Sequence, residues 1–484
     1  MISAFNSTGY YHPDEHYQII QFAEYKQGLT KEVSWEYAKK MRSCLQPSLC
    51  MYLFSILRKS GIENPFTMAL ILRLITATLS LLITTIFISA ASPLVDKKNR
   101  YLFILASYNL WFLPFINVRF SSETWSGLFA MLAIAALITA VYTDSKSRLW
   151  LVGSLLGVGF LCRFQLIIPC LSVFAWCHFV AKFRLAYIVQ MLSAFLVVCI
   201  FGVLLDSWFY NENTIAFLNY VQINVFQNAA AFYGEKPWYT LILYILGGGG
   251  YCWGIIFIAS IFLLTQQNYK SIFVWFTIPF LILHALSPHK EMRFLFPLVN
   301  FIPIILILAY QASRNLGLKV NCLTVRIILI TLAVFNSICL ITTIFQGPRS
   351  GEGEVAKFLY ETYQGKKINL ITSIDAHPFD PKMKFKGHFY KARNVEICVI
   401  NTFWDDSFNA NLKAHSINLL LIRESELISE SSISYINNLN MRLKFKSLTK
   451  VGRLIARWQS YFFYSDEESD SLLLFEYQNG SRSL

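Results

Sequence analysis

Two short polar segments, one near the start of the chain and one far downstream, carry the residue types that acid–base chemistry needs. The first is HPDE at residues 12–15, and the second is HKEMR at residues 289–293. Carboxylates such as those of Asp14 and Glu15 can act as a general base or orient a hydroxyl for attack. Lysine, arginine and histidine can hold a phosphate, and arginine does so with two parallel hydrogen bonds. This combination suits attack by a hydroxyl on a phosphate-linked group.

The composition places these segments in a membrane protein. Only 15% of the 484 residues are charged and 55% are hydrophobic, whereas a soluble domain carries about a quarter charged residues. We attribute the formal net charge of +13 to lysines and arginines kept on the cytoplasmic side of a membrane, and we expect no nucleic-acid partner. The cysteines form no CxxC pair and no zinc-like spacing, so we expect neither disulfides nor a metal site.

The apolar runs predict a mainly α-helical, polytopic protein with about ten transmembrane helices, since each crossing needs about 20 apolar residues. Residues 149–180 are too long for one crossing and carry Arg163 near their centre, so we predict two helices that turn there. The predicted crossings are 67–92, 101–118, 124–142, 149–162, 164–180, 185–205, 239–264, 271–287, 294–310 and 323–346.

Three regions follow from these crossings. Residues 1–66 are too polar to span a membrane, and we predict an extracytoplasmic or lumenal segment with the acidic motif and interfacial helices. Residues 67–346 form the transmembrane core. Residues 347–484 alternate short apolar runs with polar turns, which predicts a small α/β domain on the lumenal side. Lysine and arginine are more frequent in the loops of the opposite side, which places those loops in the cytoplasm.

On this topology the polar residues at the membrane edge collect on one side and line a cleft. Charges at such depths are costly, so they are functional candidates. When a phosphate leaves with a lipid its negative charge grows, and nearby cations stabilise it. The cleft therefore suits sugar transfer from a lipid phosphate donor. The candidates are Asp14, Glu15, Arg119, Glu123, Arg163, Asp206, His289, Lys290, Glu291 and Arg293.

Each feature also has a purely structural alternative. The acidic pair could begin a helix, and the HKEMR segment could be a solvated loop. Arg163 could extend along its stem to the membrane surface. The FYGEKPW segment at 232–238 could anchor the chain at the interface. Residues 247–250, four consecutive glycines inside a predicted crossing, could allow close helix packing or a break, and we favour packing.

The order of the motifs resembles that of a known family. Residues 10–300 contain, in sequence, HPDEHYQIIQFAE, SWEYAKKMRSCLQP, a loop from Arg119 to Glu123, LLDSWFY, FYGEKPW and HKEMRFLFP. This series resembles glycosyltransferase family 22, which has the GT-C fold. It is most similar to the branch that adds the third mannose to the glycosylphosphatidylinositol (GPI) anchor.

The resemblance implies an inverting α-mannosyltransferase that uses dolichyl phosphate mannose in the endoplasmic reticulum membrane, without a nucleotide sugar or an obligatory metal. In a bacterium it would imply a polyprenyl phosphate donor in the inner membrane. Asp14 would be the catalytic base and Glu15 its neighbour in the acidic pair. The donor phosphate and substrate would be held by His289, Lys290, Glu291, Arg293, Arg119 and Arg163, and the loop over the substrate channel would contain Tyr233, Gly234, Pro237 and Trp238.

The sequence departs from the family pattern in three places. Enzymes of this fold usually have a transmembrane helix ahead of the acidic motif, where this sequence has 11 residues, so we expect either an upstream start or a lost helix. Glu235 replaces a small or polar residue, and Tyr239 stands where the branch favours histidine. The acceptor therefore has two alternatives, an N-glycan precursor and a bacterial envelope glycolipid. The non-enzyme alternative is a transporter of lipid-linked sugars, for which repeated halves would be typical.

Overall fold

The computed structural model of the chain describes residues 1–315, 322–345, 347–348, 351–379, 389–401, 403, 407–427, 430–447 and 470–478. Over these residues the protein is mainly helical and ends in a small mixed β-sheet. The predicted fold class is therefore confirmed in outline. The domain boundaries at 66 and 346 stay predictions.

The N-terminal segment consists of short helices. The acidic motif leads into a π-helical turn, His16–Ile20, that continues as the helix Gln21–Lys26. The longest helix of the segment is Leu45–Lys59. Its exposed apolar side chains include Leu49, Tyr52 and Ile56, which recur at helical spacing and form one stripe. Such a stripe fits the predicted interfacial position. The other helices of the segment are Ile2–Asn6 and Trp35–Ala38.

A body of helices follows. The predicted pair of helices that turns at Arg163 is confirmed, because one helix ends at Cys162 and a 3₁₀ turn begins at Phe164. The α-helices of this body are Pro65–Ala91, Arg100–Asn109, Phe112–Ile116, Ser122–Tyr142, Leu149–Cys162, Ile167–Phe179, Leu185–Tyr210, Ala216–Val221, Thr240–Gly248, Cys252–Gln267, Ile272–Leu286, Phe296–Val299, Ile302–Asn315 and Cys322–Phe345.

Prolines interrupt two of the predicted crossings. A proline ring clashes with the carbonyl of the residue four positions earlier, so a helix rarely continues through that point. The ring of Pro114 would clash with the carbonyl of Leu110 in a continuous helix, and the predicted helix 101–118 is broken at residues 110–111. The ring of Pro303 would clash in the same way with the carbonyl of Val299, and the predicted helix 294–310 is bent by 66° after that residue. Both predictions of a continuous helix were wrong.

The glycine run interrupts a third crossing. The helix Thr240–Gly248 ends within the run, and the next helix, Cys252–Gln267, begins after Gly250 and Tyr251 have adopted positive φ angles. Our preference for a continuous, closely packed helix over a break was therefore wrong. Close approach still occurs, because a Cβ on Gly249 would lie 2.3 Å from the backbone nitrogen of Gly254.

These interruptions reduce the number of helices that can cross a membrane. In the part of the chain that the structure describes, four helices are long and apolar enough, or five if the bent pair is one crossing. Three shorter apolar helices accompany them. The predicted count of ten is not confirmed. The four long candidates are Pro65–Leu94, Ser122–Tyr142, Leu185–Tyr210 and Arg326–Phe345.

The C-terminal region contains a five-stranded sheet. Three of its strands, Ile368–Ser373 (β1), Val395–Ile400 (β2) and Ile417–Arg423 (β3), coincide with apolar runs of the sequence, and all three are parallel. Met441–Lys446 (β4) and Leu472–Tyr477 (β5) complete the order β2-β1-β3-β5-β4, with β5 antiparallel to both neighbours. The helices of this region are Glu352–Thr362, Ser407–Ala410 and Glu430–Asn438.

One face of this sheet packs against the N-terminal segment. Alternate residues of a strand point to opposite faces, and Leu370 of β1 joins a buried cluster that includes Phe22 and Phe54. The ring of Phe54 also stacks on Phe389 with centroids 5.4 Å apart. The next residue of β1, Ile371, joins a separate cluster on the other face. The tail of the chain thus supports the segment that carries the acidic motif.

We expect Gly153→Ala to lower the thermal stability of the protein. A Cβ on Gly153 would lie 2.0 Å from the carbonyl oxygen of Met191, so the two packed helices would have to separate. Overpacking of this kind costs about 1–3 kcal/mol. Thermal unfolding of the purified protein in detergent measures the effect. Ser154→Ala, on the partly exposed neighbouring position, is the control. An unchanged midpoint in the Gly153 variant would contradict the close packing described.

Candidate active site

The guanidinium of Arg293 binds three carboxylates from distant parts of the chain. Its Nη2 donates to Oδ2 of Asp14 at 2.6 Å, and its Nη1 donates to Oε1 of Glu123 at 3.0 Å. Its Nε donates to Oε2 of Glu291. The planar fork of arginine suits such an arrangement, since its donors point in fixed and different directions. The HPDE and HKEMR segments therefore meet at Arg293.

Local structure positions each of these groups. Asp14 is fixed by its backbone N–H, which donates to Nδ1 of His12 at 3.2 Å. Glu123 lies in the first turn of the helix Ser122–Tyr142, where the helix dipole favours a negative charge. Arg293 lies on the 3₁₀ turn Met292–Leu295, which directly follows the HKE loop.

A second arginine completes the buried part of the cluster. Nη1 of Arg163 donates to Oε1 of Glu123 at 2.7 Å, and both side chains are almost fully buried. The guanidinium of Arg163 also lies over the ring of Phe294, 4.8 Å from its centroid. The alternative in which Arg163 extends to the membrane surface is therefore wrong, because its charge is neutralised inside the protein.

The two acidic residues of the HPDE segment face in different directions. Successive residues of a helix are rotated by about 100°, so Asp14 reaches Arg293 while Glu15 reaches Arg119. The Oε2 of Glu15 lies 3.7 Å from Nη1 of Arg119, whose side chain is fully buried. Nη2 of Arg119 donates to Oγ of Ser7 at 2.5 Å. Arg119 thus contacts the N-terminal segment at Ser7 and Glu15, and Glu15 is paired with Arg119 and not with Arg293.

The charges of the cluster shift the pKa values of its exposed members. Burial opposes ionisation of Asp14, but the neighbouring positive charges, of which Arg293 is the largest, together hold the pKa of Asp14 below its ordinary value. Burial also opposes ionisation of Glu291, yet Arg293 and His289 hold its pKa well below the usual range. Burial raises the pKa of Glu15. Burial and the Arg293 charge lower the pKa of His12 to about 4, so this imidazole is neutral at neutral pH.

The HKE loop also holds the FYGEKPW segment in place. One ring nitrogen of His289, Nδ1, lies 3.0 Å from the carbonyl oxygen of Gly234, and the other, Nε2, lies 2.8 Å from Oε1 of Glu291. Nζ of Lys290 donates to the carbonyl oxygen of Lys236 at 2.9 Å. Lys290 is buried, and its ammonium group donates hydrogen bonds to backbone carbonyls of the protein.

The FYGEKPW segment presents its aromatic residues to solvent. Tyr233 is exposed, and its hydroxyl accepts a hydrogen bond from Nε1 of Trp35 at 2.7 Å. The chain turns at Gly234, whose φ angle of +96° suits glycine. Pro237 and Trp238 lie on the exposed side of the segment, where they fit the interfacial alternative as well as a substrate channel.

The structure adds site residues that the sequence reasoning did not select. Glu36 and Arg42, six positions apart in the SWEYAKKMRS motif, form an ion pair in which Nη2 of Arg42 lies 2.6 Å from Oε1 of Glu36. The sequence did indicate these two residues, because both lie in a motif of the ordered series, between the HPDE and HKEMR segments. Glu123 was recognised as a loop charge, but its role as a bridge between two arginines depends on three-dimensional contacts.

The predicted site residues thus separate into three groups. Around Arg293 the structure gathers Asp14, Glu291, Arg163 and His289. Behind them lie Glu15 and Arg119, and beside them lie Lys290 and the FYGEKPW residues Tyr233, Gly234, Pro237 and Trp238. Their catalytic and binding roles stay predictions. Over the described residues, no group of three or more His, Cys, Asp and Glu side chains has an arrangement that could hold a metal ion.

The fold identifies the class of protein. The chain is similar to the solved structure of ArnT from Cupriavidus metallidurans bound to undecaprenyl phosphate, with a TM-score of 0.54 and 12% identity. The likeness covers 98% of this chain and 95% of that one. The architecture is therefore that of a multi-pass membrane protein of the GT-C type.

The sequence then identifies the family. Residues 1–358 match the profile of the Alg9-like mannosyltransferase family, and the chain belongs to this family. It is 26% identical to the GPI alpha-1,2-mannosyltransferase 3 of Bos taurus, over 60% of this chain and 53% of that protein. It is 25% identical to the GPI mannosyltransferase 3 of Saccharomyces cerevisiae, over 66% of this chain and 49% of that protein. The chain spans about half the length of these relatives.

We expect the FYGEKPW segment to loosen as the pH rises through the pKa of His289. Both partners of the imidazole are hydrogen-bond acceptors, so both bonds form only when the ring carries two protons. The hydrogen bond to Glu291 raises the pKa of His289 above 6.5. Its contribution to stability is therefore complete below pH 6.5 and is lost as the pH rises through the higher, folded-state pKa.

Hydrogen-exchange protection of residues 229–239, corrected for the intrinsic exchange rate, measures this loosening between pH 6 and 9. A His289→Asn variant should show low protection with little pH dependence. The same change at the exposed His178 should leave the profile as in the wild type. A wild-type profile that is flat over this range would contradict the double hydrogen bond of His289.

Proposed function

We propose that this protein is an inverting mannosyltransferase that moves mannose from a dolichyl or polyprenyl phosphate mannose onto a lipid-linked glycan. The observation that carries the proposal is the state of Asp14. Its carboxylate is held by Arg293 at 2.6 Å, yet a quarter of the side chain stays open to solvent. Glu123, by contrast, is almost fully buried between two arginines. Glu291 is about as exposed as Asp14, but both of its oxygens are engaged, Oε1 by His289 and Oε2 by Arg293. Because Arg293 engages only Oδ2 of Asp14, Asp14 combines a fixed position with an oxygen that a substrate can reach.

Asp14 would act as the general base of the transfer. The acceptor hydroxyl gives its proton to Asp14 while its oxygen attacks the anomeric carbon of the mannose. The bond from that carbon to the phosphate oxygen breaks, and its electron pair leaves with the lipid phosphate. Attack from the face opposite the phosphate inverts the anomeric configuration. Since Arg293 engages Oδ2 of Asp14, the other oxygen, Oδ1, is assigned to the hydroxyl.

The surrounding charges keep this base ionised and oriented. Because Arg293 lowers the pKa of Asp14, the carboxylate is deprotonated at neutral pH and can accept a proton. His12 is neutral there, so its Nδ1 can accept the backbone N–H of Asp14 and fix the turn. A positioned base of this kind contributes about 10²–10⁴-fold to a rate. The proposal includes no nucleotide sugar and no metal, as the family resemblance implies.

The proposed acceptor is the precursor of the GPI anchor, and the proposed step is addition of its third mannose. The support is the series of relatives named GPI mannosyltransferase 3 or GPI alpha-1,2-mannosyltransferase 3. The proposed compartment is accordingly the endoplasmic reticulum membrane with the site facing the lumen. In a bacterium the same chemistry would use a polyprenyl donor in the inner membrane.

Removal of the protein, followed by mass spectrometry of the glycolipids that accumulate, tests the acceptor. A GPI precursor with two mannoses is the expected product. Accumulation of an N-glycan precursor or of an envelope glycolipid would replace the proposed acceptor.

Transfer of labelled mannose from dolichyl phosphate mannose in membranes tests the reaction itself. Movement of the donor across the membrane without transfer would instead assign a transporter.

We expect Asp14→Asn to reduce mannose transfer by about 10²-fold or more, because an amide cannot accept the proton of the hydroxyl. The amide keeps an oxygen for Arg293, so the protein should fold normally. Initial rates with labelled donor measure the loss, and thermal unfolding checks the fold. Asp96→Asn, in a half-exposed loop ion pair with Lys98, is the control. Full activity of the Asp14 variant would exclude Asp14 as the base.

A further inference from the structure

The proposed reaction, on which this inference rests, creates a second negative charge on the departing lipid phosphate. Such a charge needs a cation placed in advance. The arginines nearest to Asp14 are already occupied by carboxylates of the protein. Arg293 uses Nε, Nη1 and Nη2 on three of them, and Arg163 uses Nη1 on Glu123.

The charges of the cluster also balance without a substrate. Three carboxylates face two arginines there, and the protonated His289 supplies the remaining positive charge. Lys290 donates to backbone carbonyls, and the side chain of Arg119 is fully buried behind the cluster. The cations predicted to bind an incoming phosphate are therefore already engaged by groups of the protein.

Arg42 differs from these cations in how its hydrogen bonds are used. Its Nε and Nη2 both donate to one oxygen, Oε1 of Glu36, at 3.1 and 2.6 Å. The guanidinium lies over the ring of Tyr220, 5.5 Å from its centroid, and 22% of the side chain stays exposed. One edge of the guanidinium is thus fixed by a carboxylate while the side chain keeps contact with solvent.

The backbone around Arg42 is held as firmly as its side chain. The hydroxyl of Tyr210 donates to the carbonyl oxygen of Arg42 at 2.9 Å. Two residues further on, the N–H of Cys44 donates to Oδ1 of the buried Asp206 at 2.6 Å. These contacts come from the end of the helix Leu185–Tyr210, so the SWEYAKKMRS and LLDSWFY motifs act together to place one arginine.

Contacts next to the Glu36–Arg42 pair connect it with the cleft of the proposed base. Trp35, the residue before Glu36, donates from its indole N–H to the hydroxyl of Tyr233 at 2.7 Å. The ring of Tyr233 in turn lies 5.9 Å from that of His289, which is part of the charged cluster. The Glu36–Arg42 pair therefore lies beside the cleft that contains Asp14.

We propose that Arg42 holds the phosphate of the lipid donor and that Glu36 orients its guanidinium toward it. When the bond from the anomeric carbon to the phosphate oxygen breaks, the electron pair stays on that oxygen, and the phosphate changes from a monoanion to a dianion. The hydrogen bonds from Arg42 strengthen as this charge grows. The proton of the acceptor hydroxyl goes to Asp14, so the step is balanced. Arg42 thus binds the donor and Glu36 is a positioning residue.

The chain offers a matched control in Arg58. Arg58 belongs to the same N-terminal segment, pairs with Glu24 and lies over the ring of Phe54 at 5.7 Å. Its exposed fraction, 27%, is close to the 22% of Arg42. Its Nη1 donates to Gln27. Loss of Arg58 therefore removes an arginine, an ion pair and an aromatic contact without touching the cleft.

The test uses the full-length protein with Arg42→Gln, Arg42→Lys or Arg58→Gln. Binding of dolichyl phosphate, the proposed product, is measured directly and as inhibition, together with KM for donor and acceptor. For Arg42→Gln we expect dolichyl phosphate binding and donor KM to weaken about tenfold, as for loss of one hydrogen bond to a charged group. The acceptor KM should stay within about twofold. Arg42→Lys should be intermediate, and Arg58→Gln should match the wild type.

Several outcomes would overturn the assignment. Unchanged binding of dolichyl phosphate to Arg42→Gln would do so, as would a selective rise in the acceptor KM. Equal losses in the Arg42 and Arg58 variants would show a structural role. If Arg42→Gln does not fold, wild-type binding of dolichyl phosphate by Arg42→Lys would overturn the need for a guanidinium. If the wild type transfers no mannose, the proposed function fails. If the wild type transfers mannose and Arg42→Gln binds dolichyl phosphate normally, only the role of Arg42 is excluded and the proposed function stands.

Discussion

The arrangement of the site depends on one guanidinium shared by three carboxylates. Asp14, Glu123 and Glu291 would repel one another at this distance, and burying them unpaired would be strongly unfavourable. Arg293 removes the repulsion by giving each a separate nitrogen. The same contact fixes the relative positions of an N-terminal turn, the start of a long helix and a downstream loop. Charge compensation and assembly of the site are therefore a single event.

The irregularities of the helical body supply the places where such charges can lie. Helix ends carry unpaired backbone N–H and carbonyl groups, so they tolerate polar side chains better than helix centres. Glu123 lies at the start of a helix, Arg163 lies between two helices, and Arg293 lies on the turn that precedes the 66° bend. In a bundle of uninterrupted crossings these charges would lie within the helix centres, where charged side chains are costly. The short and broken helices are thus connected to the chemistry.

Much of this organisation could be predicted from the sequence. The turn at Arg163, the α/β character of the C-terminal region and the two polar segments were all visible as local patterns. The partner of each charge was not. Glu15 faces Arg119 and not the cleft, because neighbouring helical residues point apart, and Arg119 itself is buried. Pairs such as Arg293 and Asp14 lie 279 residues apart, so only tertiary packing selects them. The breaks in the predicted crossings were missed because the crossings were predicted from the length of apolar runs, and the prolines and glycines within those runs were given too little weight.

The support of the acidic segment by the C-terminal sheet bears on when the site can form. A chain grows from its N-terminus, so the HPDE turn is made before the C-terminal strands that support it. Phe22 and Phe54 find their partners in β1 and Phe389, more than 300 residues later. Gly353 also approaches the N-terminal segment closely, because a Cβ added to it would lie 2.9 Å from the carbonyl oxygen of Thr8. The acidic segment therefore packs fully only after the C-terminal sheet has been made, which ties the appearance of activity to that sheet.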